Sequence, residues 1–175
     1  MSLRYALLGL LREGPASGYD LLRVFRLSLY NTWPATQSQV YTELTKLAEA
    51  GLLSASAQGP RGRKEYTLTD AGLAELQRWL LQTKPDLHPR AEGLMRVFLL
   101  GAVSRDEARN YLHWLADSNA EEAAALKALE DTIEWDDQGL SFHGHLVLEF
   151  GKRLRAMTEE WARWAADQIP PPPPI

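Results

Sequence analysis

Cysteine is absent from this 175-residue chain. That excludes disulfides, thiolate metal sites and thiol redox sensing, and it leaves the redox compartment open. No apolar run approaches the ~18 residues that a membrane-spanning helix needs. The first apolar stretch is broken by Arg12 and Glu13 and lacks a signal-peptide pattern. No membrane partner is expected, and the cytoplasm is the expected location. A phosphate-binding glycine loop and a nucleophile elbow are both missing, so no enzyme activity is expected. Histidine is scarce, with four in the chain. His143-Gly144-His145 has no third ligand at a recognised spacing, and His113 is distant in sequence, so neither a metal nor a cofactor is expected. Asp136-Asp137 beside Glu134 reads as a solvated turn rather than a catalytic carboxylate pair.

What the chain does have is a composition able to bury a core, 45% hydrophobic and 24% charged. Its net charge of −4 is unevenly spread. Residues 1–82 hold nine Lys/Arg against seven Asp/Glu, and residues 83–175 hold ten against sixteen. The first half is therefore locally basic, and local charge sets phosphate affinity.

Helical spacing of Leu3, Leu7, Leu10 and Leu11 predicts a helix over 2–13, ended by Gly14-Pro15. Ser17, with Asp20 three residues on, caps a second helix carrying Leu21, Leu22, Phe25 and Leu29, closed by Trp33-Pro34. A third helix runs from near Thr36 to Ala50, with Val40, Leu44 and Leu47 inward and Gln39, Thr42, Glu43 and Lys46 outward. Gly51 supplies its left-handed cap. Two short strands, Leu53 to Ala57 and Lys64 to Leu68, flank the basic turn Gln58-Gly59-Pro60-Arg61-Gly62-Arg63. Thr69-Asp70 caps a fourth helix bearing Leu73, Leu76, Trp79 and Leu80.

Helix, strand, basic turn, strand and helix cap is the layout of a winged helix-turn-helix, which presents one helix and one basic hairpin to a DNA duplex. Residues 1–82 are read as this DNA-binding domain and 83–91, with Pro85 and Pro89, as a linker. The candidate DNA contacts are Thr36, Gln37, Ser38, Gln39, Tyr41, Thr42 and Lys46 on the helix, with Arg61, Arg63 and Lys64 on the hairpin. Each has a plainer reading as solvated surface, and Tyr41 can equally pack on the core or reach a phosphate.

Residues 92–169 read as helical throughout. Leu94, Met95, Phe98 and Leu99 mark one helix, and Ser104 with Glu107 opens a longer one. Ser118-Asn119-Ala120-Glu121 interrupts its stripe, as a kink or a second start. The last helix, about Phe142 to Gln168, carries Val147, Phe150, Leu154, Met157, Trp161 and Trp164 at heptad spacing, a candidate dimer seam. Phe98, Trp114, Trp161 and Trp164 are candidates for an aromatic effector pocket; packed core is the competing reading. Residues 170–175 form a proline tail, expected to be disordered.

Three motifs in order carry a resemblance: Leu8-Gly9-Leu10-Leu11 with Ser17-Gly18-Tyr19-Asp20-Leu21; Val40-Tyr41 with Leu44, Leu47 and Gly51-Leu52; and Gly62-Arg63-Lys64-Glu65-Tyr66-Thr67-Leu68-Thr69 with Gly72. Together they resemble the PadR-type transcriptional regulators. Gly151-Lys152-Arg153 and Glu159-Glu160-Trp161 are similar to the longer members. The resemblance implies a homodimeric regulator of double-stranded DNA, usually a repressor; a dimer would meet a pseudo-palindromic operator with two recognition helices one helical turn apart. It also implies a dimer built by the C-terminal helices and a response to a small aromatic or hydrophobic ligand. Gln39 departs from the pattern, where the family often has a small residue, so no operator sequence carries over. The expected fold is mainly α with a small β-hairpin, a winged helix-turn-helix domain followed by a helical dimerisation domain. The alternative function is a winged-helix protein–protein interaction module without an operator.

Overall fold

The computed structural model describes residues 2–28, 35–56, 64–85, 91–137 and 139–170. Arg61 and Arg63, the Trp33-Pro34 helix end, Leu29 and the last five residues lie outside them. Two compact units divide the chain, Met1–Pro85 and Asp86–Ile175.

The first unit runs α1 (Ser2–Leu10), a 3-10 turn (Leu11–Glu13), β1 (Ala16–Ser17), α2 (Gly18–Ser28), α3 (Gln37–Glu49), β2 (Leu53–Ala55), β3 (Glu65–Leu68) and α4 (Asp70–Gln82). Its core is apolar: Leu7, Leu8, Phe25, Val40, Leu44 and Leu47 are fully buried. Each such side chain contributes about 1.5–3 kcal/mol relative to exposure. Tyr5 pins α1 to α4. Its ring stacks on Trp79 at 4.3 Å and its hydroxyl donates to Glu75 at 3.0 Å. Burial, then the bond to Glu75, pushes the Tyr5 hydroxyl above its ordinary pKa.

The sheet is antiparallel, in the order β1-β3-β2. Tyr66 stands opposite Ala16 on one side and Ala55 on the other. The hairpin strands are shorter than the sequence suggests, and β1 is an addition to them. Leu80 also departs from expectation. It is 61% exposed and belongs to no core, because the inward stripe of α4 runs through Leu76 and Trp79.

The second unit comprises α5 (Glu92–Phe98), a 3-10 turn (Leu100–Ala102), α6 (Arg105–Glu130) and α7 (Gly139–Gln168). Ser104 opens α6 with a reciprocal box to Glu107. Helix α6 continues without a break through Ser118–Glu121. Asn119 is tolerated there because its amide is satisfied: Nδ2 donates to the Leu115 carbonyl at 2.7 Å, and Oδ1 accepts from Arg155 at 3.3 Å. Helices α6 and α7 pair antiparallel, with Arg163 on Asp117 near one end and Lys152 on Glu130 toward the other. No helix among the described residues is long and apolar enough to cross a membrane.

Candidate nucleic-acid interface

Helix α3 is amphipathic, and its two faces are fixed by separate causes. Val40, Leu44 and Leu47 anchor it in the core, which leaves Thr36, Gln37, Ser38, Gln39, Tyr41, Thr42 and Lys46 exposed on the opposite side. Its N-terminus is closed by Thr36, whose Oγ1 accepts from the Gln39 N–H at 3.3 Å. Gln39 returns the bond, its Oε1 accepting from the Thr36 N–H at 2.8 Å. The other end stops at Gly51, where φ is +71°, the left-handed conformation that a side chain strains.

Tyr41 links α3 to its neighbours. A Cβ on Gly18 would lie 2.6 Å from the Tyr41 ring, so the start of α2 approaches that ring closely. Tyr66 lies near it as well: burial and then Tyr41 push the Tyr66 hydroxyl above its ordinary pKa. Packed on one side, Tyr41 is still 37% exposed. Both sequence readings of Tyr41, packing and availability, are therefore compatible with its place in the fold.

The hairpin is tied to the end of α3 by Thr69. Its hydroxyl lies within hydrogen-bond reach of the Gly51 and Leu52 carbonyls, at 2.9 and 3.0 Å, and accepts from the Gly72 N–H at 3.0 Å. A Cβ on Gly72 would run into the Leu52 carbonyl oxygen, so only glycine allows this approach. Lys64 is exposed where the chain enters β3. The fold thus brings the α3 surface and the entry to the basic turn into one unit.

Gly18, Tyr66, Thr69 and Gly72 as positioning residues were not singled out from the sequence. The signal for the last two stands in Thr69-x-x-Gly72, which reads as part of the family motif, with Thr69 as a helix cap.

In the second unit, α7 turns small residues toward α6: Ala162 and Ala166 are fully buried, and Leu148 nearly so. The heptad residues face elsewhere. Val147, Phe150, Leu154, Met157 and Trp164 are exposed, with Phe150 at 67%, and Trp161 is half-buried. Of the aromatic candidates for a pocket, Phe98 and Trp114 are exposed too. His143 and His145 are occupied otherwise. His143 Nδ1 is 2.8 Å from the Gly139 carbonyl, and His145 stacks on Trp135 and sits 3.2 Å from Glu130. No cluster of three possible metal ligands occurs among the described residues.

Residues 7–78 match the family described as Transcriptional regulator PadR-like, and residues 89–169 match Virulence activator alpha C-term. The chain is 36% identical over 136 residues to the negative transcriptional regulator PadR of Bacillus subtilis strain 168, which spans 75% of this chain and 73% of that one. It belongs to the PadR-like family of transcriptional regulators. Two crystal structures of Bacillus subtilis PadR are similar to this PadR-like chain over nearly its whole length. The complex with operator DNA aligns with a TM-score of 0.82 at 30% identity, covering 97% of this chain and 100% of the other. The complex with p-coumaric acid gives 0.85 at 28%, covering 97% and 99%. The fold of this PadR-like regulator, mainly helical with a small three-stranded antiparallel sheet, is accordingly that of a winged-helix regulator.

Proposed function

We propose that this regulator is a sequence-specific repressor, binding a pseudo-palindromic operator as a homodimer and released by a small aromatic ligand. The observation that carries the reading is α3 itself, held in the core by three fully buried aliphatics while its N-terminal turns stay polar and exposed. Such a helix enters a major groove with its first residues on base edges. Gln37, Ser38 and Thr42 are assigned to the bases, and Thr36, Tyr41, Lys46 and Lys64 to the backbone, together with Arg61 and Arg63 on the reading of the sequence alone. Gln39 belongs to the same surface. The relatives support the reading: Bacillus subtilis PadR is a negative regulator, and it has been crystallised with operator DNA and with p-coumaric acid.

The dimer is assigned to α7. Val147, Phe150, Leu154, Met157, Trp161 and Trp164 form an apolar stripe that a second copy would cover. Pairing two copies sets two α3 helices about one helical turn, ~34 Å, apart on the duplex. The ligand is assigned to the aromatic residues of the second unit, Phe98, Trp114, Trp161 and Trp164. A hundredfold loss of DNA affinity requires a coupling of only about 2.7 kcal/mol, within the ordinary range.

Selection from a pool of random duplexes, followed by fluorescence anisotropy at several salt concentrations, tests the reading. An enriched palindrome bound with a steep salt dependence is expected, each lost phosphate contact reducing the slope by ~0.9. The absence of any enriched sequence would instead favour a protein–protein interaction module. Phenolic acids added to the enriched complex should release the DNA.

A further inference from the structure

Gln39 is exposed, lies near the start of α3, and carries an amide of the kind that reads adenine. Its geometry gives that amide another task. Oε1 accepts from the Thr36 N–H at 2.8 Å and lies 3.2 Å from the Thr36 hydroxyl. The Gln39 N–H in turn donates to Thr36 Oγ1. A backbone N–H can be met only by an acceptor, so the oxygen end of the amide is fixed toward Thr36. Reading adenine with an amide takes both ends at once, Oε1 accepting from N6 and Nε2 donating to N7. With Oε1 committed, only the Nε2 end remains, a pure donor, and the two-ended adenine contact is lost.

We infer that Gln39 is a positioning residue, which holds the first turn of α3 through Thr36 while sequence preference is read by Gln37, Ser38 and Thr42. This rests on the DNA-binding reading above. Thr36 and Gln39 together close the first turn, and Gln37 and Ser38 are the two residues the box spans. Loosening the box frays the segment that presents those two residues. Gln39 thus acts on specificity through the helix end, without choosing a base.

The test uses the full chain and a pool of random-sequence duplexes, with four variants: Gln39→Ala, Thr36→Ala, the double substitution, and Thr36→Ser. Each single alanine variant should weaken binding to the sequence enriched by the wild type by about three- to tenfold, the range expected of a lost cap. The double variant should be no weaker than the weaker single one, because either change already opens the box. Thr36→Ser keeps the hydroxyl and should restore affinity. Above all, Gln39→Ala should enrich the same consensus as the wild type. A changed base at one position of each half-site, or losses that add in the double variant, would make Gln39 a base reader and overturn the inference. If the wild type enriches nothing, the DNA reading itself falls, and this inference falls with it.

Discussion

The two units bury different things. The first encloses a set of large side chains, Phe25, Leu7, Leu8, Leu44, Leu47 and Val40, with Tyr19, Leu80 and Leu81 left outside. The second hides small ones, Ala108, Ala116, Ala162 and Ala166 with Leu112 and Leu148, and leaves Phe150, Met157, Trp114 and Trp164 exposed. A two-helix pair has one shared face, so it cannot enclose a second apolar stripe. The first unit therefore has a finished core. The second has a surplus of apolar surface of the kind that marks an association site.

The sharpest way to break this contrast is to place charge on the surplus. Phe150→Glu with Met157→Glu should abolish self-association, because two carboxylates would be buried without partners. The helix content of the single chain should survive, since both residues face away from α6. Sedimentation velocity and circular dichroism together decide it. If the double variant instead loses its helices, those residues belong to the chain's own core.

The next effect in size lies in the first unit. Leu44→Ala should cost about 2–5 kcal/mol in chemical denaturation, the usual range for a fully buried leucine. The matching change at an exposed seam position, Leu154→Ala, should cost far less when measured under conditions where the chain is monomeric. Equal losses would erase the distinction between the units. Gly72→Ala offers a second probe of the first unit, since a methyl there meets the Leu52 carbonyl. It should be destabilising and should also weaken DNA binding, by shifting the wing against α3.

The smallest predicted effect is electrostatic. Glu130 is held below the ordinary carboxylate range, chiefly by its hydrogen bond from Lys152 and secondarily by one from His145. Glu149 is lowered by Arg153 and then Lys152. A depressed carboxylate contributes stability that is full above its ordinary value, ~4.3. That stability is lost as pH falls through the lower folded-state value. Glu130→Gln should remove part of this acid-side loss and leave stability near pH 7 only slightly reduced. Thermal unfolding from pH 3 to 7 checks it; an unchanged acid limb would place the relevant carboxylates elsewhere.

The contrast between the units also separates what was legible in the sequence from what was not. Periodic and capping signals are local, and they placed α3, its left-handed Gly51, the Thr69 cap and the Ser104–Glu107 box. Strand β1 has only two residues, too few for any periodicity, and it exists through pairing with Glu65 and Tyr66 far along the chain. The continuity of α6 through Asn119 depends on Arg155, which belongs to α7. The close approach of Gly18 to Tyr41 is likewise nonlocal. Gln39 is different: its partner is three residues away, and the Thr-x-x-Gln box stood in the sequence, but an exposed amide on a candidate recognition helix reads first as a base contact. The seam of α7 was visible as a heptad, whereas the fact that its own chain leaves it uncovered required the pairing of α6 with the alanine face.

The most direct test of the incomplete second unit is the molar mass of the wild-type chain at sedimentation equilibrium. A species of twice the 19.7 kDa chain mass is expected, persisting on dilution into the low micromolar range. A single 19.7 kDa species throughout, still binding the selected duplex with full affinity, would contradict it.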